Sequence, residues 1–527
     1  MKPLANIPFT ELPSIPQLIR DFLQDELPGV EKYRFELNRI PAQIAQKNFS
    51  TDKRKVLAKV LQAQYEGIRL SEKQQKHLRA LSAQNTFTVT TGHQLNLFTG
   101  PVYFIYKIVQ TIKLADTLTK EFPQYRFVPL FWLASEDHDF EEINHFKTKQ
   151  NTYATAGTAG NAVGRLELTD FSFISKLKEE LKDTRFENEL LEMAKQAYHP
   201  GQTFTDATRS LVQHLFADYG LLALDGDSPL LKQQMLETFA RELQEGLLEK
   251  TTAAAVENLS NRYGKVQVNP RDINLFYLQE GQRRRLTKFN GRFVVVDSEI
   301  SFSNEEILAE LQLHPERFSP NAVLRPAYQE TVLPNLVYIG GNAEIMYWLE
   351  LPAFFEVLEL PFPLLLPRDS FLMLTEKIQN RAEKLGLRTE DFFRNREEVI
   401  AGQLLELHPI AAVLDAQEAA LVEQFEDLAN LAAMTDVTFR TLVEAERARQ
   451  LKSFVRMRKR LRRAEKIRQQ DRVQRLQTIF SEVHPDNSWQ ERQWNFSVFY
   501  RDLGPGWLKA CYDAVQIGKT QLIIFSV

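Results

Sequence analysis

Three stretches of the chain concentrate side chains that do chemistry. The first, TGHQLNLFTGP at 91–101, sets Thr91, Gly92, His93, Gln94, Thr99 and Gly100 between a β-rich run and a helix start. Such a loop gathers backbone N–H groups and a helix N-terminus at one spot, which suits an anion. Lys107 follows two turns into that helix. The same residues also read as an ordinary capped βα loop. The second stretch, ASEDHDFEEINH at 134–145, crowds Glu136, Asp137, His138 and Asp139 directly after an apolar run, with Asn144 and His145 closing it. A carboxylate beside an imidazole can orient it and raise its pKa, which suits a general acid or base. A solvated acidic loop is the plainer alternative. His138 and His145 with Asp137 or Asp139 resemble a metal-ligand set, but the spacing matches no HExxH pattern, and no metal is assigned. The third stretch, 324–350, offers Arg325 as a carboxylate clamp, with Tyr328, Gln329, Glu344 and Tyr347 nearby. Gly340-Gly341 allows a close backbone approach, and Arg368 ends another apolar run facing the same crevice.

These residues need elements to hold them. TFTVTT (86–91) predicts a strand, and Thr99-Gly100-Pro101 a helix start with Thr99 as cap. Val102, Ile105, Val109 and Ile112 form an apolar stripe along a helix reaching about Thr119. The run FVPLFWLA (127–134) suits a strand buried on both faces, so strand, helix and strand make a βαβ unit. GLLALD and the segment 335–369 repeat the alternation. The expected fold is α/β: a Rossmann-like parallel-sheet core with two insertions and a long helical coiled coil. Ligands then sit beyond the carboxyl ends of the strands.

The boundaries follow. A helical segment, 1–83, packs on the core. Core pieces at 84–150, 206–230 and 321–372 are separated by insertions at 151–205 and 231–320. A coiled coil fills 373–483, and 484–527 docks back, with TQLIIFSV as a strand. Between Ala411 and Ser481 there is neither Gly nor Pro. Leu414, Leu421 and Leu428 recur every seven residues, with Phe425 and Leu431 between them, and a turn falls near Met434–Asp436. The basic run at 447–475 reads as a solvated coiled-coil face paired with Glu418, Glu423, Glu426 and Asp427.

Composition narrows the classes. The 527 residues are 43% hydrophobic and 25% charged, enough for a large core, and the net charge of −4 argues against a nucleic-acid binder. One cysteine, Cys511, excludes a disulfide framework and reads as a buried small hydrophobe. No signal-peptide pattern and no run long enough to span a membrane is present, so a cytoplasmic protein is expected.

The motifs TGHQLNLFTGPVYFIYK and FWLASEDHDFEEINH together resemble the bacillithiol biosynthesis cysteine-adding enzyme family, BshC. LRPAYQETVLP, the segment YIGGNAEIMYW, the proline before Arg368 and WQERQWN look like the same family. The resemblance spans nearly the whole chain. It implies addition of cysteine to glucosaminyl-malate by amide formation, small-molecule substrates, ATP with magnesium as a possible activator, and a homodimer formed through the coiled coil. In that picture His138 is the base, steered by Asp137 or Asp139; Arg325 or Arg368 binds a carboxylate; and Lys107 stabilises developing charge. Glu491 and Arg492 are candidates for a second nucleotide pocket. A nucleotidyl or glycosyl transferase using the same crevice, or a non-catalytic coiled-coil binding protein, are the alternatives.

Overall fold

A computed structural model describes residues 1–527 apart from Thr158, Glu280, Glu406, Leu407 and Ala433. The chain divides into two compact units, one of residues 1–372 and 491–525, the other of 373–490 with the last two residues.

The first unit is built on strand β1 (Thr86–His93), helix α1 (Tyr103–Glu121), strand β2 (Arg126–Leu133) and strand β3 (Leu222–Asp225). The second insertion then supplies an antiparallel sheet of β4 (Leu275–Gln279), β5 (Gln282–Phe289), β6 (Arg292–Val295), β7 (Ser301–Phe302) and β8 (Phe318–Pro320), in the order β7-β6-β5-β4-β8. The core resumes with helix α2 (Arg325–Val332), strand β9 (Asn335–Gly340), helix α3 (Asn342–Trp348) and strand β10 (Leu364–Pro367). The core sheet runs β10-β9-β1-β2-β3, all parallel. Strand order reverses between β1 and β9, so the crevice of a doubly wound sheet opens at their carboxyl ends.

The parallel strands form because their residues can be buried on both faces. Phe87, Val89, Leu114, Leu118, Phe127, Leu336, Val337, Ile339, Leu364 and Leu366 share one apolar cluster. Each such side chain contributes about 1.5–3 kcal/mol. Thr90 and Thr91 of β1 are tolerated there because their hydroxyls are satisfied: Thr90 donates to Asn335 Oδ1 at 2.8 Å, and Thr91 to the Ile339 carbonyl at 2.7 Å. The N-terminal helices pack on this core through Arg54, whose buried guanidinium donates to the carbonyls of Leu81, Gln84 and Thr86 at the entry to β1. The C-terminal strand Gln521–Ser526 lies between Lys2–Pro8 and Ser370–Leu374, as its apolar run predicts.

One local expectation is corrected. Thr99 does not cap α1; the helix begins at Tyr103 with Val102 at the cap position and no side-chain cap. Phe98, Thr99 and Gly100 all have positive φ, of 47°, 70° and 60°. Asn495 holds this strained turn by donating to the carbonyls of Phe98 and Gly100, both at 2.7 Å. At Gly100 a Cβ would lie 2.6 Å from that of Asn96, so glycine is required.

In the second unit, helices α4 (Pro409–Ala432) and α5 (Val437–Arg468) pack on each other, followed by α6 (Gln470–Val483). Their seam runs through Leu421, Phe425, Ala429, Ala432 and Val443. Leu428 and Leu431, expected in that seam, are exposed instead. The seam residues step along α4 by four, four and three, which turns the contact face toward Ala429 and leaves Leu428 and Leu431 on its flank. The basic face pairs as expected at Arg447–Glu426 (3.0 Å) and Arg458–Glu418. No single helix among the described residues is long and apolar enough to cross a membrane.

Candidate functional site

A cavity of about 1160 Å³ opens at the switch point, lined entirely by the first unit. Its floor is made where β1 and β9 end. Gly92 and His93 come from β1, and Gly341 and Glu344 from the start of α3. At Gly92 a Cβ would lie 3.2 Å from Cβ and the carbonyl oxygen of Trp132, so a side chain would press on β2.

Beneath the floor, Lys107 is buried and donates to the Gly92 carbonyl and to Glu344 Oε2, each at 2.6 Å. Glu344 also accepts from the Gly341 amide (2.8 Å) and the Tyr338 hydroxyl (2.7 Å). Burial alone would raise its pKa, but Lys107 and these donors bring it down to about 2. Burial pulls the Lys107 pKa down, against the pull of Glu344. Lys107 itself does not line the cavity. His93 packs edge-on against Tyr103 and Phe104, its buried Nε2 has no partner among the described residues, and burial takes its pKa to about 3. It is a neutral ring.

Arg325 lines the cavity. It donates to Gln329 Oε1 at 2.9 Å and lies 3.4 Å from the Tyr347 hydroxyl, yet forms no ion pair among the described residues. Tyr347 and Tyr338 raise its pKa against burial, so it is a fixed cation. Arg368 is paired with Glu491 at 2.6 Å and stands 4.9 Å over the Tyr103 ring, with Arg492 5.9 Å from the same ring. Glu491 further accepts from Ser370 and the Phe371 amide, so its carboxylate is occupied within the fold. Arg492 lines the main cavity.

The acidic wall follows β2. Asp137 Oδ1 accepts from the His138 amide at 2.7 Å, and Oδ2 from Gln94 at 2.7 Å. Glu136 is paired with the buried Lys232 at 2.6 Å. The expectation that the acids raise the pKa of His138 is corrected: it is lowered, by burial first and then by Arg283, which together outweigh Asp137 and Asp139. The Asp137 carboxylate is 3.7 Å from the ring, whereas Arg283 is 2.8 Å from Nδ1.

Of the residues singled out by sequence, Gly92, His93, Gln94, Glu136, Asp137, His138, Arg325, Gly341, Glu344, Tyr347, Arg368 and Arg492 line this one cavity. Thr91, Lys107, Tyr328, Gln329, Gly340 and Glu491 stand behind it. Tyr328 donates to the Gly226 carbonyl at 2.5 Å. Thr99, Gly100, Asp139, Asn144 and His145 also lie outside the lining. Asp139 caps the short helix Phe140–Ile143. The helix N-terminus expected to greet an anion is closed by the chain's own tail: the Val102 amide donates to the Trp494 carbonyl at 2.8 Å.

Sequence reasoning missed the opposite wall. Arg271, Arg283, Arg284 and Arg285 reach the cavity from the second insertion, with Gln282 and Asp297. The signal was the unbroken RRR of QEGQRRRLTKF; nothing local says that this strand faces the core crevice. Arg271, Arg284, Arg285 and Arg325 have no carboxylate partner among the described residues. The cavity therefore carries surplus positive charge beside an acidic loop, which suits a substrate with several carboxylates or phosphates joined to an amine.

Comparison with known proteins agrees across the chain. Residues 4–369 match the family model of the bacillithiol biosynthesis BshC N-terminal Rossmann-like domain, and residues 371–527 that of the BshC C-terminal coiled-coil domain. Curated relatives bear the name "Putative cysteine ligase BshC". One from Flavobacterium johnsoniae is 40% identical over 93% of each chain. One from Christiangramia forsetii is 40% identical over 95% of each. One from Salinibacter ruber is 31% identical over 97% of this chain and 96% of its own.

Proposed function

The chain belongs to the BshC family of bacillithiol biosynthesis, and we propose that it acts as the cysteine ligase its relatives are named for, joining the cysteine carboxyl to the amine of glucosaminyl-malate. The observation that carries this reading is the pairing, in one crevice, of arginines that have no carboxylate partner among the described residues (Arg271, Arg284, Arg285 and Arg325) with an acid-and-imidazole loop. Malate brings two carboxylates, to which we assign Arg325 and the Arg368 side of the cavity. Glu136 is assigned to the cysteine ammonium. Amide formation from a free carboxylate in water is uphill, so the carboxyl must be activated. We assign that role to Mg-ATP, with Arg271, Arg284 and Arg285 taking the anionic group that leaves.

Two further parts of the reading concern the whole molecule. A single buried cysteine and a thiol substrate fit a reducing, cytoplasmic setting. A homodimer through the helical unit is supported by the apolar side chains that its own seam leaves exposed, among them Leu431, Val437, Leu442 and Val455.

The test is mass spectrometry of purified protein incubated with cysteine and glucosaminyl-malate, with and without Mg-ATP. The expected result is bacillithiol in the ATP-containing tube alone. Product without ATP would remove the nucleotide from the scheme. No product in either, from folded protein, would overturn the ligase reading.

A further inference from the structure

Arg283 makes a set of contacts that decides what His138 can do. Its Nη1 lies 2.8 Å from His138 Nδ1. A guanidinium has donors only and keeps its proton at any physiological pH. The ring nitrogen facing it must therefore be the unprotonated acceptor, and a neutral ring then carries its single hydrogen on Nε2.

The arginine is not free to move aside. Its Nε donates to Ser319 Oγ at 3.0 Å, and Nη2 to the Pro320 carbonyl at 2.9 Å. Its guanidinium sits 3.8 Å from the centre of the Phe276 ring, which also packs on His138 at 5.2 Å. Its own amide donates to the Gly160 carbonyl at 2.7 Å. Strands β4, β5 and β8 thus hold one side chain against the core loop. Around the imidazole, Arg283 comes from β5, and the carboxylates of Asp137 and Asp139 from its own loop.

We propose that Arg283 is a positioning residue that fixes His138 as the neutral Nε2–H tautomer, so that His138 serves the acyl transfer as a hydrogen-bond donor to the developing oxyanion and not as the base. The oxyanion role rests on the ligase reading above; the tautomer does not. A base acting through Nε2 would need its hydrogen on Nδ1, pointed at a guanidinium. As a donor, His138 keeps its proton throughout, and the amine's proton leaves by another acceptor, for which Asp137 is the adjacent carboxylate.

The full-length protein labelled with ¹⁵N-histidine tests this directly. The His138 signals are assigned by their loss in His138→Gln. The expected pattern between about pH 6 and 8 is an acceptor-type Nδ1 with a protonated Nε2. In Arg283→Met, with Asp137 and Asp139 left as the nearest charges, the hydrogen should move to Nδ1 or the ring should become fully protonated. A protonated Nδ1 in the unmodified protein, or an unchanged ring in folded Arg283→Met, would overturn the proposal. The unmodified protein answers the question even if the variant does not fold.

Turnover supplies a second arm. A glutamine amide can donate where Nε2 does, so His138→Gln should stay within about tenfold of the parent kcat, whereas His138→Ala should lose about 100–1000-fold. Equal, complete loss in both would return His138 to the base role and overturn the donor assignment. A correct tautomer in a protein that makes no bacillithiol would sink the ligase reading, and the oxyanion role with it, while leaving the Arg283–His138 pairing standing.

Discussion

Lys107 and Glu344 join the two halves of the core sheet at the point where strand order reverses. The ammonium is 2.6 Å from Glu344 Oε2 and 2.6 Å from the carbonyl oxygen that ends β1. One charge comes from the helix after β1 and the other from the helix after β9, so the pair sets the width of the crevice floor.

Removing the cation should therefore cost stability. Lys107→Met leaves a buried carboxylate with only neutral donors, and a loss of about 3–5 kcal/mol is expected. Urea unfolding of Lys107→Met, Glu344→Gln and the double variant measures it. The double variant should recover much of the loss, giving a coupling of about 1–3 kcal/mol. Additive losses would mean that the two groups act independently.

Arg325 should matter for binding more than for folding. Its fold contacts are to neutral groups, Gln329 and the tyrosine hydroxyls. Arg325→Gln should raise the KM for glucosaminyl-malate by about 10–100-fold, the worth of one charged hydrogen bond at about 1.5–3 kcal/mol. Calorimetry should find the melting temperature little changed. An unaltered KM would remove Arg325 from the substrate.

Glu350 gives a pH dependence with a definite sign. Burial raises its carboxyl from 4.5 to about 8, so the folded protein holds a proton that the unfolded chain releases. The stability tied to that proton is complete below about pH 4.5 and is lost as pH rises through about 8. Denaturant midpoints at pH 6 and pH 8.5 should fall more in the parent than in Glu350→Gln, in which the group cannot ionise. Parallel profiles would show that Glu350 is not the titrating group.

The exposed apolar face of the helical unit predicts an oligomer. Leu431 and Leu442 are each 61% exposed and Val437 is 81% exposed, on adjoining stretches of α4 and α5. Sedimentation should find a dimer, and Leu442→Glu with Val455→Glu should give a folded monomer. A monomeric parent protein would remove the dimer from the reading.

Cys511 should be silent. It is fully buried, and burial pushes its thiol pKa well above the ordinary range. Native protein should resist alkylation that goes to completion in denaturant. Rapid labelling of the native protein would show that the site opens.

Much of this protein was legible in the chain itself. Runs such as FVPLFWLA can be buried on two faces only in a covered parallel sheet, and their alternation with helix stripes fixed the Rossmann-like class. Active groups at the ends of such strands must share a crevice, which is why His93, Asp137, His138, Arg325, Glu344 and Arg368 were found together. These are local and topological consequences of hydrophobic pattern. What the sequence could not state were partners chosen by contacts distant in the chain. Thr99 reads as a cap until Asn495 and Trp494 close the loop from nearly 400 residues away. Leu428 reads as seam until Ala429 is found in its place. His138 reads as an imidazole steered by three acids until Arg283, 145 residues on, is found 2.8 Å from its Nδ1. Hydrogen-bond roles are settled by which group arrives within 3 Å, and only the tertiary structure brings it there.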